Sequence, residues 1–588
     1  MAKEQEKDYL EKLWHTTAHV FAEALTETYP NVKIAIGPPI EEGFHYDFEL
    51  DGKIEKEDLK TIEKKMKDIV KRKDKMICEE VGIEEAKELF KDNKYKIELL
   101  SDLAEKGEEK VTIYKTGETG KFVDLCKGPH LDEVKEIGAF KLLKISAAYW
   151  KGNAKNAQLH RIYGISFKTK EELKTWIKMK EEAEASDHNK IGRDLELFMT
   201  HELVGQGLPL LMPKGAKIFQ ILTRFIEDEE EKRGYVYTRT PYMAKSDLYK
   251  ISGHWDHYKD GMFILGEEGK DEEILALRPM TCPYQFLIYK NGVKSYRDLP
   301  IRYGETSVLF RNESSGEMHG LTRVRQFTLA EGHVVVTPEQ LEEEFKAVMD
   351  LINYIMDTLG IRKDISYRFS KWDPKNKEKY IDNPEAWEQS QAALQKILDD
   401  LKLDYEEVDG DAAFYGPKLD LQAKNVYGKE DTIITVQIDF ALPERFDMTY
   451  IDKEGNKKRP YVIHRSSIGC YERTIAMLIE KYKGAFPLWL SPEQVRILPV
   501  SENFAKYGKE VADKIRDAGL RVFLDDRNET LGYRIREGQK EKVPYILVVG
   551  AKEQEDNSVA VRTRDGKQKV EPIDEFIKNS VKENSDRK

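Results

Sequence analysis

The sequence predicts an α+β chain of several domains, organised around an antiparallel sheet, and three observations carry that reading. The chain has 588 residues, well beyond the size at which one hydrophobic core stops growing, so three or four domains are expected. Between about 191 and 490, long helical patterns mix with strand-like runs. Two of these runs, VRQFTLA and GHVVVT, follow one another with no helix between them, which favours an antiparallel over a doubly wound parallel sheet. After FPLWLSP the pattern changes: VRILPV, a helix near 503–517, LRVFLDD, a helix near 531–540 and PYILVVG alternate β and α, as in a small α/β domain with a buried parallel-type sheet.

The elements follow in order. A helical pattern around Trp14, His15, His19 and Phe21 opens the chain, and IAIGPPIEEGFHYDF then reads as a Gly/Pro turn before a strand. Residues 55–72 are charge-rich with helical spacing, and a compact αβ region runs to about Phe167. Residues 168–190 read as one solvated helix joining two globular parts. Leu341, Phe345, Val348, Met349, Ile352, Ile355, Met356 and Leu359 keep a 3–4 spacing that stops at Gly360, a helix with its terminator. TIITVQIDFAL is a further strand candidate.

Composition excludes some functions. No run approaches the roughly 18 consecutive apolar residues of a membrane span, and MAKEQEKDYLEKLW lacks the apolar core of a secretory signal. A cytoplasmic protein without a membrane partner is expected. Cys78, Cys126, Cys282 and Cys470 are too widely spaced for a disulfide framework, so a cysteine that meets histidines reads as a ligand or reactive group. The formal net charge of -12 argues against wholesale coating by nucleic acid. It leaves room for a nucleic-acid partner, whose binding depends on where Lys and Arg cluster.

Three segments offer metal ligands: Pro279-Met280-Thr281-Cys282, Ala330-Glu331-Gly332-His333 and Val462-Ile463-His464. Cysteine and histidine suit zinc, and three protein ligands leave a fourth position for a substrate. A lone histidine is more often an ordinary core residue, so the neighbouring segments decide. Phe310-Arg311-Asn312-Glu313, followed by a polar loop and Arg323-Val324-Arg325-Gln326-Phe327, resembles the second signature motif of class II aminoacyl-tRNA synthetases; Gly469-Cys470-Tyr471-Glu472-Arg473 resembles the third and Gly234–Pro241 the first. With His15-Thr-Thr-Ala-His19, Asp124-Leu-Cys126-Lys-Gly-Pro-His130 and Tyr415-Gly-Pro-Lys418, the chain resembles the bacterial-type threonyl-tRNA synthetase family over nearly its whole length.

The resemblance implies a division into an α+β editing domain (1–167), a linker helix (168–190), a class II catalytic domain with the antiparallel sheet (191–490) and an α/β anticodon-binding domain (491–588). The editing region begins almost at Met1, so the family's N-terminal ubiquitin-like domain is expected to be missing. The implied activity is ATP-dependent charging of tRNA(Thr) with threonine, in a homodimer whose interface carries the first motif. Arg311 would bridge the ATP α-phosphate and the amino-acid carboxylate, and Arg473 would hold the γ-phosphate, since a guanidinium fork suits phosphate oxygens whose charge grows. Glu313 would accept from the adenine amino group and Phe327 stack on the base, with Arg323 and Gln437 also at the nucleotide. Met280, Glu331, Tyr415 and Lys418 would line the substrate pocket. Cys282, His333 and His464 would hold one Zn²⁺ per chain, and Mg²⁺ would accompany ATP.

Such a zinc selects only in part. Threonine can chelate it through amine and hydroxyl, whereas valine cannot. Serine differs by one methyl, a contact worth about 1–3 kcal/mol, so a second, proofreading site is needed. His15 and His19 share a helix face, and with Cys126 and His130 they would either bind zinc or position a water beside a seryl ester; the resemblance favours the metal-free form. Asp124 would orient the water or the terminal ribose. Asn528, Glu553 and Arg562 would read splayed anticodon bases. Several positions depart from the family pattern: Leu329 stands where Gln is usual, Glu331 for Asp, Cys470 for Ser, Gln206 for the Pro of Gly-Pro-Gly, and Pro283-Tyr284-Gln285 where Gly-His is common. Two other readings are a synthetase of the same architecture for proline and a synthetase-like RNA-binding protein without catalysis. The intact Cys/His set speaks against the first, and Arg311 and Arg473 speak against the second.

Overall fold

The computed structural model describes residues 2–587 apart from 118, 119 and 154, with side chains from Glu6 onward. The chain divides into two compact units, Met1–Glu181 and Glu182–Lys588.

In the first unit the 27-residue helix Ala2–Thr28 lays Leu13, Trp14, Phe21 and Leu25 on a four-stranded antiparallel sheet. Its spatial order is Lys33–Ile34, Phe44–Glu49, Gln158–Phe167, Ala139–Tyr149. The two-residue period of Phe44, Tyr46 and Phe48 turns all three rings to the helix, where Phe21 meets them at 5.9 to 6.3 Å. The charged stretch forms the helix Lys56–Arg72, with Leu59, Ile62, Met66 and Ile69 as its buried stripe. A second antiparallel sheet, Met76–Gly82, Lys110–Thr116 and Phe122–Leu125, leads into Cys126–His130.

The stretch 168–190 is two helices rather than one. Lys170–Ser186 ends at Asp187, whose carboxylate accepts from Asn189 N–H at 2.7 Å and caps His188–Asp194. His188 is 1 % exposed, so the end of this stretch is core and not solvated surface.

The second unit is built on eight strands in the order Val236–Tyr237, Ile301–Phe310, Gln326–Val336, Tyr461–Cys470, Glu430–Asp439, Lys418–Lys424, Ile365–Lys371, Tyr405–Asp409. The five central pairings are antiparallel and the two outer ones parallel. VRQFTLA and GHVVVT belong to one strand, Gln326–Val336. The glycine between them makes no turn: a Cβ at Gly332 would lie 2.5 Å from the Arg465 guanidinium, so it serves a close approach. The sheet is antiparallel because Gln326–Val336 runs against both Ile301–Phe310 and Tyr461–Cys470. Helices Pro213–Lys232, Leu341–Thr358 and Tyr471–Tyr482 cover it, packing Leu222, Phe345, Ile352 and Ile475 onto Val334, Leu421, Val436 and Ile463.

Near the C-terminus, Val522–Leu524, Val495–Pro499 and Tyr545–Val549 are parallel as expected. The sheet then continues antiparallel through Ser558–Thr563 and Gln568–Pro572, so it is mixed. Gln568–Pro572 buries only Glu571, which leaves no apolar pattern to read. No helix among the described residues is long and apolar enough to cross a membrane.

Candidate functional site

The residues of the central site meet because the sheet aligns them. Tyr303, His333, His464, Gln437 and Lys418 are successive register partners across five strands, and directly opposed residues share a face. Cys282 begins the helix Cys282–Lys290. Its sulfur and one ring nitrogen each of His333 and His464 lie within 4.8 Å of one another, with all three residues buried.

Each imidazole is held from behind. Thr238 Oγ1 donates to Glu305 Oε2 at 2.9 Å, Gln285 Nε2 donates to Thr238 Oγ1 at 2.7 Å, and Gln285 Oε1 accepts from His333 Nδ1 at 2.6 Å. This relay puts the proton on Nδ1 and leaves His333 Nε2, a buried atom, with no partner. His464 Nε2 donates to Asp439 Oδ2 at 2.8 Å, and Asp439 Oδ1 is fixed by the N–H groups of Ala441 and Leu442. A histidine that gives one N–H to a carboxylate or carbonyl presents the other nitrogen as a ligand. The orphaned His333 nitrogen and the N,N,S donor set therefore fit a zinc ion. Gln285, Asp439, Thr238 and Glu305 were not found from the sequence; Gln285 showed only as a departure from the family pattern.

A cleft of about 660 Å³ opens over this cluster, and every residue that the sequence reading assigned to nucleotide or amino acid lines it. At the metal end, the Tyr415 ring stacks on His464 with centroids 4.9 Å apart, and its hydroxyl donates to Gln437. Lys418 pairs with Asp420 at 2.9 Å. Glu331 Oε1 accepts from Thr281 N–H at 3.2 Å while Oε2 has no partner, and burial raises its carboxyl. Met280 lines the same end, as does His254, which the sequence reading passed over; burial and the neighbouring His464 push His254 down to about 3.

The other end is cationic. The Arg311 guanidinium lies 5.1 Å from the centre of the Phe327 ring. Arg473 donates to Thr322 O at 3.0 Å, and Arg323 pairs with Glu313 at 2.8 Å. Leu329 faces Cys470 directly across the ladder. Two departures from the family pattern thus form one apolar contact, with Phe327, Val324 and Leu309 around it.

In the first unit, Cys126 Sγ lies 3.1 Å from His15 Nε2 and 3.3 Å from His130 Nε2, and His19 completes the group. His15 Nδ1 donates to Pro129 O at 3.2 Å. Thr16 gives its hydroxyl proton to Lys12 O, so Thr16 Oγ1 accepts from His130 Nδ1 at 3.3 Å. Two imidazole lone pairs thus converge on one thiol. Burial pushes that thiol up to about 12 and lowers all three histidines, so the group is neutral. Asp124 is 2 % exposed: its carboxylate takes Lys96 Nζ at 2.5 Å and the Tyr46 hydroxyl at 2.5 Å, and stands 3.9 Å from His19 Nε2. It supports the cluster from behind, and a direct contact with ribose is not open to it.

Of the C-terminal residues, Asn528 is exposed in the loop after Val522–Leu524. Arg562 lies half-buried on Ser558–Thr563. Glu553 Oε2 accepts from Gly550 N–H at 3.0 Å and so caps its own short helix. Arg564 binds the carbonyls of Lys542 and Phe486, a structural use.

Comparison with known proteins adds three family matches: the tRNA synthetase class II core domain (G, H, P, S and T) over residues 263–482, an anticodon binding domain over 494–584, and the threonyl and alanyl tRNA synthetase second additional domain over 111–163. A threonine–tRNA ligase of Clostridium botulinum (strain Eklund 17B / Type B) is 60 % identical over 571 residues, 96 % of this chain and 88 % of that protein. The chain belongs to the threonine–tRNA ligase family. It is a class II aminoacyl-tRNA synthetase with the family's additional domain. Among solved structures, the RNA binding domain of threonyl-tRNA synthetase from Cryptosporidium parvum matches at a TM-score of 0.63 and 36 % identity, covering 67 % of this chain and 98 % of that one. The prolyl-tRNA synthetase of the same organism matches at 0.53 and 18 %, covering 68 % of this chain and 76 % of that one; that likeness shows the fold alone.

Proposed function

We propose that the chain activates threonine with ATP, transfers it to tRNA(Thr), and hydrolyses Ser-tRNA(Thr) at its N-terminal cluster. The observation that carries the first part is a single cleft with Cys282, His464 and the orphaned His333 Nε2 at one end and Arg311 and Arg473 at the other. Cys282, His333 and His464 would hold one Zn²⁺, which would supply Lewis acidity for recognising the substrate amine and hydroxyl. Glu331, Met280, Tyr415 and Lys418 enclose that end, and Gln437 orients Tyr415.

At the other end, Phe327 stacks on the adenine, Glu313 accepts from its amino group, and Arg323 and Arg473 bind the bent triphosphate with Mg²⁺. Arg311, also at that end, faces the α-phosphorus as the threonine carboxylate attacks it and pyrophosphate leaves. Its charge is matched to the oxygens on which charge builds. A terminal ribose hydroxyl of the tRNA then attacks the threonyl carbonyl, losing its proton as the mixed-anhydride bond breaks and AMP leaves. Asn528, Glu553 and Arg562 contact the anticodon. The domain division is 1–167, 191–490 and 491–588, in a cytoplasmic homodimer.

The N-terminal cluster works without metal. Two Nε2 lone pairs face Cys126, which has one hydrogen to give. The second nitrogen is free to take a hydrogen from water and so to sharpen it as a nucleophile. Lys96, buried against Asp124, opposes a dication there.

The test is ATP–pyrophosphate exchange with threonine, serine, valine and proline, run alongside metal analysis. Exchange with threonine and, more weakly, serine, none with valine or proline, and about one zinc per chain are expected. Folded, zinc-loaded protein that exchanges with proline and not threonine would overturn the assignment.

A further inference from the structure

The helix Tyr471–Tyr482 grips the segment that leads into strand Gln326–Val336 at two points. Near its start, Arg473 Nε donates to Thr322 O at 3.0 Å. Near its end, Glu480 Oε1 accepts from His188 Nδ1 at 2.7 Å, and His188 Nε2 accepts from Leu321 N–H at 3.2 Å. Because Nε2 faces a donor, the proton sits on Nδ1, and both ring nitrogens are satisfied. Asp187, His188 and His319 cluster closely enough to suggest a cation site. His188, however, has no lone pair left to give, so the cluster reads better as a fastening than as a metal centre.

The fit around His188 is close. Gly320 has φ +50, and a Cβ there would stand 2.2 Å from His188 Nε2 and 2.3 Å from Asn189 Oδ1. The backbone of 320–321 therefore lies directly against the imidazole, and only glycine meets both demands. Leu321 is fully buried. Asp187, next in the chain, lies 3.8 Å from His319 Nε2 and accepts from Tyr427 at 3.0 Å. The segment so fastened joins Glu313 to Arg323, which pair across its base and line the cleft.

We propose that His188, from the stretch that the sequence presents as a linker, is a positioning residue for the nucleotide end of the cleft. By fixing Leu321 N–H it sets the path of 320–323. With Arg473 anchored on Thr322, that path decides where Arg323 and Arg473 point. This rests on the assignment of that end to ATP. The role is distinct from chemistry at threonine: the His188 side chain acts through one backbone N–H and one carboxylate.

The variants H188A, H188Q and H188N separate positioning from general stability. Glutamine places its oxygen near the position of Nε2 and keeps the acceptor for Leu321. Asparagine places its nitrogen near Nδ1 and keeps only the donor to Glu480. In threonine-dependent ATP–pyrophosphate exchange, H188A and H188N should raise KM for ATP about ten-fold, the effect of leaving the buried Leu321 N–H without its acceptor. KM for threonine should stay within about two-fold, as expected for a contact felt by one substrate only, with bound zinc unchanged. H188Q should recover most of the wild-type KM for ATP.

Equal behaviour of H188Q and H188N, or a fall in kcat with KM for ATP unmoved, overturns the proposal. A wild-type protein without threonine-dependent exchange would mean that the underlying assignment has failed. Normal wild-type exchange with an unaltered H188A overturns only the role of His188. If H188A does not fold, the contrast between H188Q and H188N still decides.

Discussion

Two clusters in this chain have nearly the same composition, one cysteine with two or three histidines, and differ in what stands behind them. Behind Cys282, His333 and His464 are the Asp439 carboxylate and the Gln285 amide, with the Glu331 carboxylate 3.9 Å from His333 Nε2. Behind Cys126, His15 and His130 are a backbone carbonyl and a hydroxyl, and the nearest carboxylate, Asp124, is already neutralised by Lys96. The first surrounding is anionic and suits a dication. The second is neutral and suits a water. On the proposed assignment, the contacts behind these ligands are what would direct the same ligand types to different chemistry.

The comparison breaks most sharply at the ligands. H333A should release the zinc and cut threonine activation about 10³-fold, since a Lewis-acid metal contributes several kcal/mol. Ser-tRNA hydrolysis should be unchanged. Retained zinc with full exchange would remove His333 from the site. Conversely, C126A should slow clearance of Ser-tRNA about 10²-fold, the scale of lost general acid–base assistance, and leave exchange untouched. Stoichiometric zinc lost from the N-terminal cluster in this variant would erase the contrast.

A finer test concerns the supports. Q285A and D439N should weaken zinc binding about 10- to 100-fold, the usual range for outer contacts of a metal site, as measured by competition with a chelator. Affinity equal to wild type would mean that the relay through Thr238 does not set the tautomer.

The smallest effect is in pH. Burial holds His19 neutral, well below its ordinary 6.5, and Cys126 is pushed up from 9 to about 12. Below about 6.5 the unfolded chain takes up a proton that folded His19 refuses, so stability falls with acid by about 1.4 kcal/mol per pH unit for that residue. Above 9 the unfolded thiol ionises and the folded one does not, so stability falls again. Urea midpoints should show a plateau between these limits, and no decline from pH 6.5 to 5 would show that the cluster is charged when folded.

Much of this was legible in the sequence and some was not, for definite reasons. Cys282, His333 and His464 are separated by 51 and 131 positions, and no spacing rule joins them. The motifs around them did, and cross-strand register explains how they meet. Gln285 and Asp439 were out of reach because one meets His333 from the helix Cys282–Lys290 and the other meets His464 from a neighbouring strand, contacts between distant segments that leave no local pattern. The run 168–190 kept its helical composition through Asp187, so nothing apolar marked the break that the side-chain cap makes. VRQFTLA and GHVVVT read as two runs although they share one strand, because a glycine that admits a neighbour's guanidinium looks, in sequence, like one that turns the chain. Arg562 and Asn528 came from the resemblance alone.

The ladder between Gln326–Val336 and Tyr461–Cys470 slips between the pairs Leu329–Cys470 and Glu331–Ser466. Ala330 on one side is spaced against Ser467, Ile468 and Gly469 on the other, with Gly469 N–H tied to Ser466 Oγ at 2.8 Å. On one side of this slip His333 and His464 stay directly opposed; on the other the strand enters the helix that bears Arg473. A two-residue offset preserves which face each side chain takes. The slip is locked rather than adjustable: Gly469 has φ +76 and a Cβ there would stand 2.0 Å from Ile433 O, and buried Arg465 donates to Ser467 Oγ at 2.6 Å, so one fixed offset sets both where the paired histidines lie and where the Arg473 helix begins.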